Sequence, residues 1–361
     1  MTDSGWSSAD VAASGRRPRL ARLCRRSGLL PLVGRLRGLM REDVRILAYH
    51  RVLDSVEPDG FSFDVDLISA SADAFREQMK LVKRRFQPMR FDELADCLDR
   101  GRRPPPRALL VSFDDGYDDN HRIAFPILSE LGLSAMFFVC TDHIGSGAPY
   151  AYDWLVHMLC STGAGRVELP ELGLDMPLPA SLAARRAIAR TALDRIKTLD
   201  AASQEALIAR IEHDWQLPRA NGHRFCRPMS WADLREMHRG GMEIGSHGIG
   251  HRMLAKLPPD EMRREVAGSR EALERELGSQ VDVISYPVGG PDAYDDEVMR
   301  ATRQAGYRLA CSYRAGTDAA SPDTRYEMRR LPVERQMDDS WFEAMMALPE
   351  VFSYRSRFRT R

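Results

Sequence analysis

The chain has 361 residues, of which 43% are hydrophobic and 29% charged, with 52 basic side chains against 52 acidic ones. This composition excludes a disordered or collagen-like chain, and a formal net charge of zero gives no overall field that would draw in nucleic acid. Six scattered cysteines with no Cys-x-x-Cys pair exclude a disulfide framework or zinc knuckle, and no run approaches the roughly 18 apolar residues that span a bilayer or reads as a cleavable leader.

In chain order, residues 1 to about 15 read as a loose Ser-, Ala- and Gly-rich tail. Residues 16–41 interleave nine arginines, from Arg16 to Arg41, with Leu20, Leu23, Leu30, Leu32, Leu36 and Met40. That pattern predicts two short basic amphipathic helices separated near Pro31. Such helices lie on an anionic membrane surface, or pack on the domain with a solvated arginine face. Val44–His50 is a first barrel strand, and a helix over about 72–86 carries Phe75, Met79, Val82 and Phe86 at helical spacing. After Pro104–Pro106, the run Ala108–Phe113 is apolar apart from Ser112, as a strand covered on both faces should be. A helix around Ile123–Leu131 leads to a strand at Ser134–Cys140. Strand, helix, strand in that order implies a parallel sheet with right-handed crossovers.

Residues 150–225 interrupt the rhythm. Leu182–Ile211 reads as one or two helices, with no obvious strand in the insertion; it either shapes a pocket on the loop side or forms an oligomer contact. The alternation resumes with a helix at Trp231–Arg239, a strand at Met242–Ile244 and a helix at Pro259–Leu277. A strand at Val281–Tyr286, a helix at Asp295–Ala305 and a strand at Tyr307–Ser312 follow. The division expected is a tail and basic segment over 1–41, an α/β body over 42–340 carrying the insertion, and a C-terminal tail over 341–361.

Three segments can carry chemistry. Asp114 and Asp115 fall at the C-terminal end of a buried strand, where α/β barrels build their active sites, and two like charges there call for a cation or a shared proton. His247 and His251, four residues apart among Gly245, Gly248 and Gly250, end another strand on a loop and can face one metal ion. Two imidazoles and a carboxylate form a set that suits Zn²⁺ and leaves positions open. The strand end Ser285-Tyr-Pro-Val-Gly289 exposes backbone N–H groups, and that of Val288 is a candidate oxyanion donor.

Together these segments resemble the polysaccharide deacetylase family, the carbohydrate esterases that share the NodB homology domain. The motifs resembled are Ser112-Phe-Asp-Asp-Gly-Tyr117, His247-Gly-Ile-Gly-His251 and Tyr286-Pro-Val-Gly289. Leu47-Ala-Tyr-His-Arg-Val52 and Phe137-Phe-Val-Cys-Thr-Asp142 look like stretches from the branch acting on bacterial exopolysaccharides and lipid-linked glycans. The resemblance covers about 44–149 and 226–335. It implies a distorted (β/α)₇ barrel, here with a helical insertion and a basic N-terminal helical segment. It also implies Asp114 as general base, Asp115, His247 and His251 as ligands of one divalent metal ion, zinc by their chemistry, and Val288 N–H with Tyr286 at the oxyanion or substrate.

Three departures stand out. Gly248 replaces a Ser or Thr whose hydrogen bond supports the loop. Ser285 stands where an arginine orients the base, a place that Arg329 or Arg330 could take over. The late Leu-x-x-His that supplies the acid is absent, so His50 is the candidate acid. The function implied is metal-dependent hydrolysis of an N-acetyl group from an amino sugar in a polysaccharide, glycolipid or lipid-linked glycan. The same residues would serve a deformylase or O-deacetylase, and the departures leave room for a catalytically impaired glycan-binding protein. The expected location is cytoplasmic, peripheral on the inner membrane face through residues 16–41, with a glycan partner and no nucleic acid.

Overall fold

The computed structural model of the protein describes residues 16–28, 30–41, 43–54 and 60–353. The tail expected over 1–15 lies outside them. The apolar runs of the sequence become seven parallel strands: β1 (Asp43–Tyr49), β2 (Ala108–Phe113), β3 (Met136–Val139), β4 (Glu243–Ser246), β5 (Val283–Ser285), β6 (Leu309–Ala315) and β7 (Met328–Pro332). They pair in chain order. β7 then returns to β1, with Leu47 opposite Leu331 and Ala48 opposite Pro332, and closes the barrel. The distorted (β/α)₇ barrel implied by the sequence is therefore the fold.

Strand alternation divides the barrel into two cores. One set (Val44, Ile46, Leu110, Met136, Phe138, Val283, Leu309, Cys311 and Met328) packs with Phe91, Leu94 and Leu98 of a helix over Phe91–Asp99. The Glu243 carboxylate, at the start of β4, accepts the N–H groups of Phe91 and Asp92 at 2.9 and 3.0 Å, tying that helix's N-terminus to the barrel. The other set, Leu47, Tyr49, Leu109, Val111, Phe113, Phe137, Val139 and Ile284, faces the helices over Ala72–Arg85, Phe125–Leu131, Trp231–Arg239, Pro259–Leu277 and Asp296–Gln304. Two steps further along β2, β5 and β7 the first set turns polar: Ser112, Ser285 and Arg330 follow Leu110, Val283 and Met328. All three are fully buried. The barrel thus changes from apolar to polar toward the C-terminal ends of its strands.

The sequence reading contains neither β7 nor the helix over Phe91–Asp99. β7 reads Met-Arg-Arg-Leu-Pro, and its buried arginine hides the apolar pattern of a strand. The insertion has its own apolar cluster, centred on Trp154, Leu155, Leu159, Val167, Leu174, Ala192 and Ile208. It holds helices over Ala151–Ser161, Leu182–Ile196 and Ala201–Asp214, and also a two-stranded antiparallel ribbon, Arg166–Leu169 with Leu174–Pro177, where no strand was expected. Gly173, at φ +58, makes the turn between them.

Two helices, Arg16–Arg26 and Leu30–Met40, precede the barrel. Their break falls at Ser27–Gly28, a few residues before Pro31, which occupies the second helix's first turn, where its missing N–H costs nothing. Both helices rest on a helix over Asp339–Ala347, so the expected tail over 341–361 is not a tail up to residue 353. Trp341, Phe342, Met345 and Met346 are buried there, and Trp341 Nε1 donates to the Phe352 carbonyl at 2.9 Å. Arg22 pairs with Asp338 at 3.2 Å, and Arg37 with Asp43 at 2.7 Å and with Glu350. Among the described residues, no helix is long and apolar enough to cross a membrane. Trp341→Ala should lower stability by about 3–5 kcal/mol, the cost of emptying a buried indole site. Urea unfolding curves that superimpose on the wild type would refute the docked C-terminal helix.

Candidate metal and active site

Asp114 follows β2 directly, and its N–H donates to the Tyr49 carbonyl at 2.9 Å, extending the β1–β2 pairing by one residue. Its side chain continues the set that runs Leu110, Ser112, Asp114 and so enters the polar end of the barrel. There Arg330 meets it in a two-pronged ion pair, with Nη1 to Oδ1 and Nη2 to Oδ2 both at 2.7 Å. The remaining guanidinium donors are also satisfied. Nε reaches the Ser312 carbonyl at 2.9 Å, Nη2 the Ser285 hydroxyl at 2.9 Å, and Nη1 the Ser112 hydroxyl at 3.3 Å. Burial by itself would raise the Asp114 pKa, but the Arg330 charge and hydrogen bonds outweigh it and hold the carboxylate below its ordinary value. Asp114 is ionised although only 2% exposed.

Ser285, read from the sequence as a lost arginine, is thus the small residue that receives an arginine from another strand. Of the two candidates, Arg330 is the one that pairs with Asp114, while Arg329 pairs with Asp318 at 3.4 Å.

Asp115 has a left-handed backbone, φ +72, followed by Gly116 at φ +69. A Cβ on Gly116 would stand 2.9 Å from Val139 Cγ1, so only glycine fits the turn against β3. This turn sends the two adjacent carboxylates to different partners. Asp115 Oδ1 lies 3.5 Å from His247 Nε2 and 3.3 Å from His251 Nε2. The three ligand atoms fall within 4.8 Å of one another. The oxygen is buried and makes no hydrogen bond. An unsatisfied carboxylate oxygen facing two imidazole nitrogens suits a cation better than it suits solvent.

His247 is oriented by its other nitrogen, Nδ1, 2.7 Å from the Ser285 carbonyl, which leaves Nε2 as the donor atom toward a metal. Burial disfavours its charged form, but Asp115 and Asp114 more than compensate and raise its pKa. For His251 burial prevails and lowers it. Asp115, despite its burial, is held well below the usual carboxylate range by the two histidines. Asp115, His247 and His251 therefore form a group able to hold one divalent cation.

The remaining expected residues divide. His50 directly follows β1, its ring centroid 5.2 Å from Tyr313 and its Nδ1 3.4 Å from the Tyr313 hydroxyl. Tyr313 in turn lies under the Arg330 guanidinium at 5.2 Å. Val288 sits on the loop after β5 at φ +64, a strained conformation for a β-branched residue. Tyr286, expected at the substrate, is fully buried instead; its hydroxyl donates to the Tyr326 carbonyl at 2.9 Å and its ring stacks on Tyr294. It is corrected to a core residue.

Two tyrosines from the insertion join the site without having been foreseen. The Tyr150 hydroxyl donates to the Asp115 carbonyl at 2.9 Å, and the half-buried Tyr152 ring lies 5.1 Å from that of His251. Tyr150 stacks between Tyr152 and His143, at 4.9 and 3.6 Å. No spacing in the sequence links residue 152 to residue 251; only the folded insertion brings them together.

Comparison with known proteins identifies the family. The polysaccharide deacetylase family model matches residues 101–310. That stretch holds Asp114, Asp115, His247 and His251 but neither His50 nor Arg330. The chain belongs to the polysaccharide deacetylase family, a family of carbon–nitrogen hydrolases. It is 23% identical over 260 residues to YxkH of Bacillus subtilis (strain 168), an alignment covering 72% of this chain and 63% of that relative. The chain therefore spans less than two thirds of that relative's length. In fold it resembles the Streptococcus pyogenes deacetylase PplD in complex with acetate, with a TM-score of 0.56, 17% identity, and 86% and 99% of the two chains covered. BC0361, a polysaccharide deacetylase from Bacillus cereus, gives a TM-score of 0.51 at 19% identity, covering 84% and 69%.

Arg330→Met should destabilise the protein by about 3–5 kcal/mol, because it strands a buried carboxylate. Adding Asp114→Asn should recover much of that loss. Strictly additive losses in urea unfolding would show that the two groups do not act as a pair.

Proposed function

We propose that the protein removes the N-acetyl group from an amino sugar carried by a polysaccharide, glycolipid or lipid-linked glycan. The observation that carries this reading is the division of labour between two neighbouring carboxylates: Asp115 turned to His247 and His251, and Asp114 held ionised by Arg330. Two nitrogen donors and one oxygen suit Zn²⁺. When bound, the cation would supply Lewis acidity toward the acyl oxygen and a water acidified enough to attack near neutral pH.

The protein's own groups would do the rest. Asp114 would take the proton of the attacking water, with Arg330 fixing its geometry and keeping it charged until that moment. His50, beside Tyr313, would give a proton to the departing amine. It stands in for the absent late histidine. The Val288 N–H would stabilise the oxyanion. Tyr150 and Tyr152 would form a wall contributed by the insertion. The missing motif arginine favours a non-catalytic glycan binder; the pairing of Arg330 with Asp114 supports the catalytic reading instead.

In the test, the wild type should retain about one zinc per chain, as the three-ligand set implies, and should release acetate from N-acetylglucosamine oligomers. Asp114→Asn should keep the metal and lose about 10²–10⁴-fold in kcat. His247→Ala/His251→Ala should lose the metal itself. A wild type that binds no metal, or an Asp114→Asn variant with full turnover, would sink the proposal. Parallel assays on O-acetyl and N-formyl substrates would identify the bond cleaved.

A cytoplasmic location, peripheral on the inner membrane face, belongs to the same proposal. It is supported by the exposed Leu20, Leu23, Leu32, Leu36 and Met40 on the two leading helices, interspersed with exposed Arg19, Arg26, Arg35 and Arg41. Ala21, Leu30 and Arg37 of the same helices are buried, so deleting them would open the core. Leu23→Glu/Leu36→Glu is the better probe. It should abolish binding to phosphatidylglycerol-containing vesicles and leave hydrolysis of soluble oligomers unchanged. Vesicle binding equal to wild type would overturn the membrane contact.

A further inference from the structure

The two metal-site histidines close a five-residue turn, His247–His251, whose middle carries no side chain that could hold it. Gly248 has φ +79 and His251 has φ +57, so two of its residues are left-handed. The turn directs the N–H groups of Ile249 and Gly250 inward onto a single atom, Glu265 Oε2, at 2.7 and 3.0 Å. Successive N–H groups beside a left-handed residue make a concavity that binds anions. Here the anion is the chain's own carboxylate, buried at 6% exposure and delivered from the helix over Pro259–Leu277. Its other oxygen lies 3.9 Å from Arg252 Nη1, just beyond the turn.

Gly248 leaves room for this carboxylate. A Cβ at residue 248 would stand 3.2 Å from Glu265 Oε2, so a side chain there would push the carboxylate back by a few tenths of an ångström. The Ser or Thr of the resembled motif supports the loop by its hydroxyl. In this chain the turn is held from outside: by Glu265, across 16 residues of sequence, by the Ser246 hydroxyl, which accepts the Gly248 N–H at 3.1 Å, and by the Thr141 and Asp142 N–H groups, which donate to the Gly248 and Ile249 carbonyls at 3.3 and 3.1 Å.

The two histidines are anchored separately. His247 is fixed by its own N–H to the Val139 carbonyl at 2.9 Å and by Nδ1 at the Ser285 carbonyl. His251 lies at the far end of the turn, its ring flanked by Tyr150 and Tyr152. The geometry points to Glu265 as the positioning residue of the metal site. By filling the concavity it sets the shape of the turn and thereby the approach of His251 Nε2 to Asp115, without touching cation or substrate. This rests on Asp115, His247 and His251 being the metal ligands.

The test is zinc titration of the metal-free full-length protein by calorimetry, with urea unfolding of the same metal-free samples. Glu265→Ala should weaken zinc binding about 10–100-fold, the usual effect of removing a partner that orients a ligand. E265Q keeps an oxygen able to accept both N–H groups and should return to within a few-fold of wild type. Should the alanine variant fail to fold, Glu265→Asp, one methylene short of the turn, should weaken binding likewise. Zinc binding as tight as wild type in Glu265→Ala, with only the urea midpoint lowered, would make Glu265 a purely structural residue and overturn the inference alone. No zinc uptake by the wild type would overturn the metal-site reading, and the inference with it.

Discussion

A carboxylate at the mouth of a closed barrel stays ionised only if a cation is buried beside it, and in this protein that cation is Arg330. Removing both charges from water is costly, and their attraction offsets that cost only with near-ideal geometry and every remaining donor satisfied. Both conditions hold: two matched contacts at 2.7 Å, and hydroxyl or carbonyl partners from Ser112, Ser285 and Ser312 for the rest of the guanidinium. The pair also dictates composition around it. β2 and β5 need small hydroxyl residues opposite the guanidinium, and β7 pairs with β1 in a register that sets Leu331 opposite Leu47, from which the long Arg330 side chain reaches Asp114.

Much of this architecture is legible in the sequence because most strands obey a single rule. Ala108–Phe113 is buried on both sides and reads as a continuous apolar run, and the helices over Trp231–Arg239 and Pro259–Leu277 carry clear start signals and periodic faces. The rule fails where function intrudes. β7 escapes notice because its inward residue is an arginine, which no apolar pattern anticipates. The helix over Asp339–Ala347 escapes because its partners, two basic helices, lie more than 300 residues away in the chain.

The site divides in the same way. Asp114, Asp115, His247 and His251 are visible as short motifs at strand ends, because each strand delivers its residues locally. What surrounds them is assembled from afar: Arg330 from the last strand, Glu265 from a helix, Tyr150 and Tyr152 from the insertion. Positive φ at Asp115 and His251 shows how much that surrounding has to do. Left-handed backbone at a non-glycine residue persists only where neighbouring contacts over-determine it. The carboxylate of Glu265 beneath one turn and the tight fit of Gly116 against Val139 are such contacts.

The closure of β7 on β1 makes the barrel depend on residues from both ends of its sequence. The segment the family model matches, 101–310, includes β2 to β5 and ends two residues into β6. Cut out, it would have no first or last strand, and the flanks of β2 and β6 would offer bare rows of amide and carbonyl groups to any passing chain. Those residues by themselves hold neither β1 nor β7 and lack Arg330. The two flanks, far apart along the chain, together complete the ring of strands and supply the charge in its mouth.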